Sequence, residues 1–267
     1  MDNTLSGTWS LILGASGGMG RACALALAEA GSNVIGVHLD TAERKAAVDE
    51  LTEEIRAAGV AAHFFNENAA SDSGRARILA AARELAAPAG VRVFMHSLAF
   101  GSLVPFLPAA GGADQATATR AQMDMTLSVM AHSLVYWTQD LLTSALLGPG
   151  GKVFAMTSAG TARVTGSYGM VSAAKCALES HVRQLAVELA PRGVSVNAIR
   201  AGVTLTESFL RIPESGELTE RARAFNPHGR LTTPEDVAET VVLLARSRSS
   251  WLTGNVIGVD GGEFLTI

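Results

Sequence analysis

Trp9-Ser10-Leu11-Ile12-Leu13 runs straight into Gly14-Ala15-Ser16-Gly17-Gly18-Met19-Gly20, and an alanine-rich stretch follows. An apolar strand, a glycine-rich turn and the start of a helix are the expected reading. Glycines at such a junction allow a tight turn and close backbone approach to a pyrophosphate. They also leave the helix N-terminus aimed at its charge. In this context the turn is a dinucleotide-binding loop rather than a plain structural turn.

Working outward, short apolar runs alternate with helical patterns along the chain. Strands are predicted at 9–13, 33–38, 61–65, 91–97, 151–157, 194–199 and 255–259. That alternation predicts an α/β fold: a Rossmann-type, doubly wound, parallel seven-stranded sheet in a single domain over 1–267. A helix over 41–58 is expected to open on a Thr41 cap and to stop at Gly59. Another opens with Thr233, Pro234, Glu235 and Asp236, a cap followed by acids at the positive end of the dipole. Two segments look irregular, 99–113 and 202–227; the second is the expected substrate-binding loop, since such folds build their sites beyond the strand ends.

Bulk properties narrow the function. The 267 residues carry a formal net charge of −4 and no basic run, which gives nucleic acid binding no support. No apolar run reaches a membrane span, and the N-terminus lacks a charged segment ahead of an apolar one, so a soluble, cytoplasmic protein is expected. The two cysteines, Cys23 and Cys176, fall in predicted helices without a CxxC or a histidine partner and are read as buried reduced thiols. The histidines are scattered without ligand spacing, so no metal is expected.

Asp40 lies just past the second strand, where an acid accepts hydrogen bonds from adenosine ribose hydroxyls and repels a 2′-phosphate. Position 17 holds glycine rather than a base that would grip that phosphate. Arg44 and Lys45, next to Glu43, read as a solvated helix face. NADH is therefore favoured, with NADPH possible.

Tyr168 and Lys175 stand seven residues apart, close to two helical turns, so both can face one way about 10 Å apart along the axis. An ammonium held near a phenol is expected to lower its pKa and ready it for proton transfer. Many oxidoreductases place that pair four residues apart. When hydride attacks a ketone, the oxygen needing the proton is bonded to the carbon attacked; in a C=C–C=O system it lies three bonds away. A displaced tyrosine suits enoyl reduction better.

With the glycine loop, Ser158, Tyr168, Lys175 and Val259-Asp260-Gly261-Gly262 in order, the chain resembles the short-chain dehydrogenase/reductase superfamily over its whole length. Three further features resemble its enoyl-acyl-carrier-protein reductase branch: the Tyr-x6-Lys spacing, His96-Ser97-Leu98-Ala99-Phe100-Gly101, and Asn197-Ala198-Ile199-Arg200-Ala201-Gly202 with Thr206 following. The stretch from Ile212-Pro213 through Asn226-Pro227 and Gly229-Arg230 is similar to that branch's substrate loop. Departures exist as well. Val171 holds the position of the ordinary catalytic tyrosine, and Thr126 stands where ordinary members place a relay asparagine. Ser158 keeps the usual serine where the main enoyl reductases carry an aromatic.

The resemblance implies NADH-dependent reduction of trans-2-enoyl thioesters in fatty acid synthesis, and a homotetramer. Its catalytic residues would be Tyr168, stabilising an enolate, Lys175, on the nicotinamide ribose, and Ser158, which positions the carbonyl or caps a loop. Its cofactor site would comprise Gly14, Ser16, Gly18, Met19, Gly20, Asp40, Asn68, Ser97, Ala99, Lys175, Gly202 and Thr206, with Thr206 alternatively an N-cap for 207–210. His96 packs rather than reacts. Phe100, Leu103, Phe106, Phe209 and Leu210 are candidates for an acyl pocket, whereas Tyr136, beside Trp137, reads as core. Arg211, Arg221, Arg223 and Arg230 are interleaved with Glu207, Glu214, Glu217 and Glu220, so no basic patch marks a carrier protein over coenzyme A. Two competing functions remain: a carbonyl or hydroxy-compound oxidoreductase, and a catalytically silent dinucleotide sensor.

Overall fold

The computed structural model describes residues 5–110 and 116–266. Seven strands form one sheet: β1 Trp9–Leu13, β2 Asn33–His38, β3 Ala62–Asn66, β4 Val91–His96, β5 Lys152–Ser158, β6 Ser195–Ala201 and β7 Val256–Val259. All neighbours pair in parallel, in the order β3-β2-β1-β4-β5-β6-β7. The predicted strands match β1 and β2 and differ from the others by one or two residues at their ends.

Helices cover both faces: α1 Gly18–Glu29, α2 Lys45–Ala57, α3 Asp72–Ala86, α4 Arg120–Leu127, α5 Ser133–Thr143, α6 Gly169–Leu189, α7 Glu207–Leu210, α8 Ser215–Phe225, α9 Pro234–Arg246 and α10 Glu263–Thr266. A π-turn over Ser128–His132 joins α4 to α5. Because side chains alternate along a strand, Leu11 and Leu13 enter one core with Ile78, Trp137, Leu178 and Val182. Ile12 and Met95 enter the other with Leu27, Leu51, Ile55, Val237 and Val241. The residues of both clusters are buried, which is why the central strands are largely apolar runs. Strand order reverses between β1 and β4, and the crevice beyond their carboxyl ends is where such sheets hold ligands.

Several expectations change. Thr41 stands at the N-cap of a short 3₁₀ turn over Ala42–Arg44 that precedes α2, and its side chain makes no cap hydrogen bond. Gly59 does end the segment in the left-handed conformation, at φ +83°. Tyr136 is 41% exposed while Trp137 is fully buried and donates its indole N–H to the Ala69 carbonyl at 2.8 Å. Adjacent helical residues face different ways, and the larger ring took the core. Cys176 is exposed and Cys23 buried. The expected loop over 202–227 contains α7 and α8. Residues 99–110 carry no helix or strand, as predicted, and 111–113 lie outside the described residues.

The Thr233 cap forms as expected and is reciprocal. Asp236 N–H donates to Thr233 Oγ1 at 3.3 Å and Thr233 N–H to Asp236 Oδ2 at 2.8 Å. Arg230 also grips both Asp236 oxygens at 2.6 and 2.7 Å. The Arg230 hydrogen bond, followed by those from Thr233, holds the carboxyl far below the usual range. Asp236→Ala should lower stability by about 1 kcal/mol, a typical capping loss. Since the folded pKa is depressed, that contribution exists above the unfolded value near ~4 and fades as pH falls below it. Urea midpoints of wild type and variant should therefore converge on acidification; a gap independent of pH would contradict the ion-paired cap.

Candidate functional site

A cavity of about 1200 Å³ runs along the carboxyl ends of the strands. Its floor is the glycine loop. Gly14 and Ala15 donate backbone N–H bonds to the Val37 carbonyl at 2.8 and 3.1 Å, which presses the turn onto β2. A Cβ on Gly14 would lie 2.4 Å from the Ser97 carbonyl oxygen, and one on Gly20 would lie 2.0 Å from that of Gly14. No other residue fits at either place. Gly17 is the N-cap of α1 and has no side chain to cap it, so the first amides of α1 are left for an incoming group. Ser16, Gly18 and Met19 line the cavity above them. This cradle fits the pyrophosphate of a dinucleotide.

At one end stand Asp40 and Asn68. Asp40 Oδ2 pairs with His38 Nδ1 at 2.8 Å, and its Oδ1 lies 3.3 Å from Arg44 Nε. Arg44 also lines the cavity, so it is part of this end rather than the solvated face expected.

Ser97, Ala99, Gly202 and Thr206 also line the cavity wall. Thr206 is the N-cap of α7, the second of its two readings. Its Oγ1 accepts the Phe209 N–H at 3.2 Å as the N-cap of α7, and its Cγ2 lies 3.2 Å from the place of a Gly18 Cβ. His96 is fully buried, with Nε2 2.7 Å from Ser133 Oγ. Since that hydroxyl donates to the Val129 carbonyl, the imidazole donates through Nε2 and Nδ1 has no partner. Burial first, and the nearby Lys175 charge second, push its pKa down to about 3. It is a neutral packing group.

Lys175 is 5% exposed, and its Nζ donates to the Met156 carbonyl at 2.6 Å. Burial lowers its pKa to about 8, with Glu179 opposing. Tyr168 occupies the N-cap of α6, and its Oη lies 3.2 Å from Ser158 Oγ. Both Tyr168 and Lys175 face the cavity. Yet the phenol pKa is raised by burial and only partly offset by Ser158, against the lowering expected from the lysine. The reason is positional: Tyr168 leaves the chain ahead of the first turn of α6, while the ammonium is anchored two turns deeper. Ser158 makes no side-chain cap bond, so its hydroxyl serves the phenol.

Val171, one turn before Lys175, is buried with Met130 and Ala174 and lies against Gly101. Thr126 is buried too, its hydroxyl donating to the Gln122 carbonyl and accepting from Ser102 N–H. Of the expected acyl-pocket residues, Phe100, Leu103 and Phe209 line the cavity. Phe106 and Leu210 do not; the Phe106 ring instead rests where a Gly169 Cβ would be, 2.7 Å away. Sequence reasoning missed Gly160, whose Cβ would strike the Tyr168 ring at 2.5 Å. It also missed Glu263, a buried carboxylate that accepts the Val203 N–H at 3.0 Å and lines the wall. Among the described residues no cluster of three metal-ligating side chains exists, and no helix is long and apolar enough to cross a membrane.

The sequence profile of a family described as enoyl-(acyl carrier protein) reductase matches residues 14–263. The chain belongs to the short-chain dehydrogenase/reductase superfamily. Its relatives in that superfamily divide between chemistries. An NADPH-dependent aldehyde reductase-like protein of Arabidopsis thaliana is 30% identical over 264 residues, covering 97% of this chain and 94% of its own. The NADH-dependent enoyl-[acyl-carrier-protein] reductase of Aquifex aeolicus is 33% identical over 170 residues, covering 64% of this chain and 61% of its own. The crystal structure of that Aquifex aeolicus enzyme superposes with a TM-score of 0.81 at 25% identity, covering 98% of both chains. This superfamily member is an oxidoreductase by descent.

The two thiols give a direct check of helix orientation. Burial pushes Cys23 up to about 12, whereas Cys176 is exposed. A thiol-specific chromophore should label one cysteine per native chain, and Cys176→Ser should abolish that labelling until the protein is unfolded. Labelling of both, or of neither, would contradict the placement of α1 and α6.

Proposed function

We propose that this chain reduces the carbon–carbon double bond of trans-2-enoyl thioesters with NADH. One observation carries the reading. Val171, an apolar side chain, fills the position one turn before Lys175, and the phenol available to a substrate is Tyr168 at the head of α6. The acid thus stands away from the lysine, as an oxygen three bonds from the attacked carbon requires.

In this mechanism a bound reduced dinucleotide supplies the hydride. Tyr168 Oη donates a hydrogen bond to the thioester carbonyl, and Ser158, 3.2 Å from it, orients that hydroxyl. As negative charge develops on the oxygen, the phenol and the positive potential of Lys175 stabilise the enolate. The raised phenol pKa keeps Tyr168 protonated, which a donor needs. Phe100, Leu103 and Phe209 offer apolar surface to the acyl chain. Asp40 at the adenosine end favours NADH. The substrate is carried on acyl carrier protein or coenzyme A, and a cytoplasmic homotetramer belongs to the same proposal.

A second reading, carbonyl reduction, is favoured by the Ser158–Tyr168 hydrogen bond, since two hydroxyls can converge on one carbonyl oxygen. Val171 opposes it, because the ordinary tyrosine position is apolar.

The test is turnover of crotonyl-CoA with NADH. Tyr168→Phe should reduce it by about 10² or more, a typical general-acid contribution; near wild-type rates would reject the role. Lys175 loses its charge as pH rises through about 8, so kcat/KM should fall there. A flat profile across that range would remove Lys175 from the mechanism.

A further inference from the structure

Arg44 lies across the glycine loop. Its Nη2 is 3.9 Å from the place a Gly17 Cβ would take. Its Nη1 donates to both oxygens of Glu207, at 2.5 and 2.7 Å, although the two residues are 163 positions apart. Its Nε lies 3.3 Å from Asp40 Oδ1 without hydrogen-bond geometry, and this buried N–H has no acceptor. Arg44, Asp40 and Glu207 all line the cavity. The guanidinium is therefore parked on Glu207 with donor capacity to spare, at the end where Asp40 stands.

We propose that Glu207 is a cofactor-specificity residue that holds Arg44 away from the 2′-phosphate of a phosphorylated dinucleotide. The inference rests on the reading that Asp40 faces the adenosine ribose. A guanidinium grips phosphate through a planar fork of N–H donors. Here Nη1 of that fork is committed to both oxygens of Glu207, and Nε lies beside Asp40 Oδ1 without bonding to it. Charge acts in the same direction: two carboxylates against one guanidinium leave the local balance negative, which repels a phosphate dianion. Neutralising Glu207 changes both terms at once. It leaves one carboxylate facing one guanidinium and frees Nη1 to turn toward the ribose. Because Glu207 belongs to α7, the choice of cofactor is tied to the segment expected to receive the substrate.

The experiment is calorimetric titration of NADP⁺ and NAD⁺ into wild type, Glu207→Gln, Arg44→Ala/Glu207→Gln and Asp40→Ala, which needs no turnover. Glu207→Gln should shift the ratio of dissociation constants toward NADP⁺ by about tenfold, as expected when a charge-assisted pair is released. Removing Arg44 as well should cancel the gain. An unchanged ratio in Glu207→Gln, or a gain that survives without Arg44, overturns the proposal. If Asp40→Ala shifts the ratio while Glu207→Gln does not, the inference falls and the placement of the ribose stands. If neither shifts it, the ribose reading falls and takes the inference with it.

Discussion

The hydrogen bond from Lys175 Nζ to the Met156 carbonyl, 2.6 Å long and out of water, ties α6 to the end of β5. An ammonium buried without a carboxylate in contact needs such an acceptor, since an unpartnered charge in that environment would be far more costly. The bond fixes the rotation and depth of α6, and the rest of the site follows from it. Val171, four residues earlier, is turned into the apolar cluster with Met130 and Ala174. Tyr168 is carried to the N-cap, where its hydroxyl meets Ser158 rather than the lysine. Gly160 and Gly169 are the positions that leave room for this, one beneath the Tyr168 ring and one beneath Phe106.

The electrostatics of the cavity then divide by position. At the lysine end, burial drives Lys175 down to about 8 and keeps Tyr168 protonated, so a cation and a neutral donor share one wall. At the opposite end, Asp40, Arg44 and Glu207 form a chain of contacts over the glycine loop. A scaffold of this kind hosts several hydride transfers, and fold alone does not select among them. The placement of one phenol relative to one lysine is what separates enoyl from carbonyl chemistry in this account.

The strands and the glycine loop were legible in the sequence because their signals are local: four apolar residues among the five of β1, then glycines that no other side chain can replace next to Ser97 and Gly14. Lys175 was legible as buried from its small apolar neighbours. Tyr136 was misjudged because two aromatic residues stand side by side, and pattern alone does not say which one faces the core. The helix α8 was not visible because Glu and Arg are interleaved through 214–225 without a clear apolar period, whereas α7 was signalled only by its Thr206 cap. Arg44 and Glu207 lie too far apart in sequence for any local signal to pair them. The direction of the Tyr168 pKa shift was misread for a similar reason: spacing along a helix says nothing about a residue that precedes its first turn.

The most direct test of the central claim compares trans-2-enoyl and 3-oxoacyl thioesters of equal chain length, following NADH absorbance with the wild-type protein. Turnover of the enoyl substrate with little or none of the 3-oxo compound is the expected result. Turnover of the 3-oxo compound alone would mean that Ser158 and Tyr168 act together on a ketone despite Val171, and the argument from the displaced phenol would be wrong.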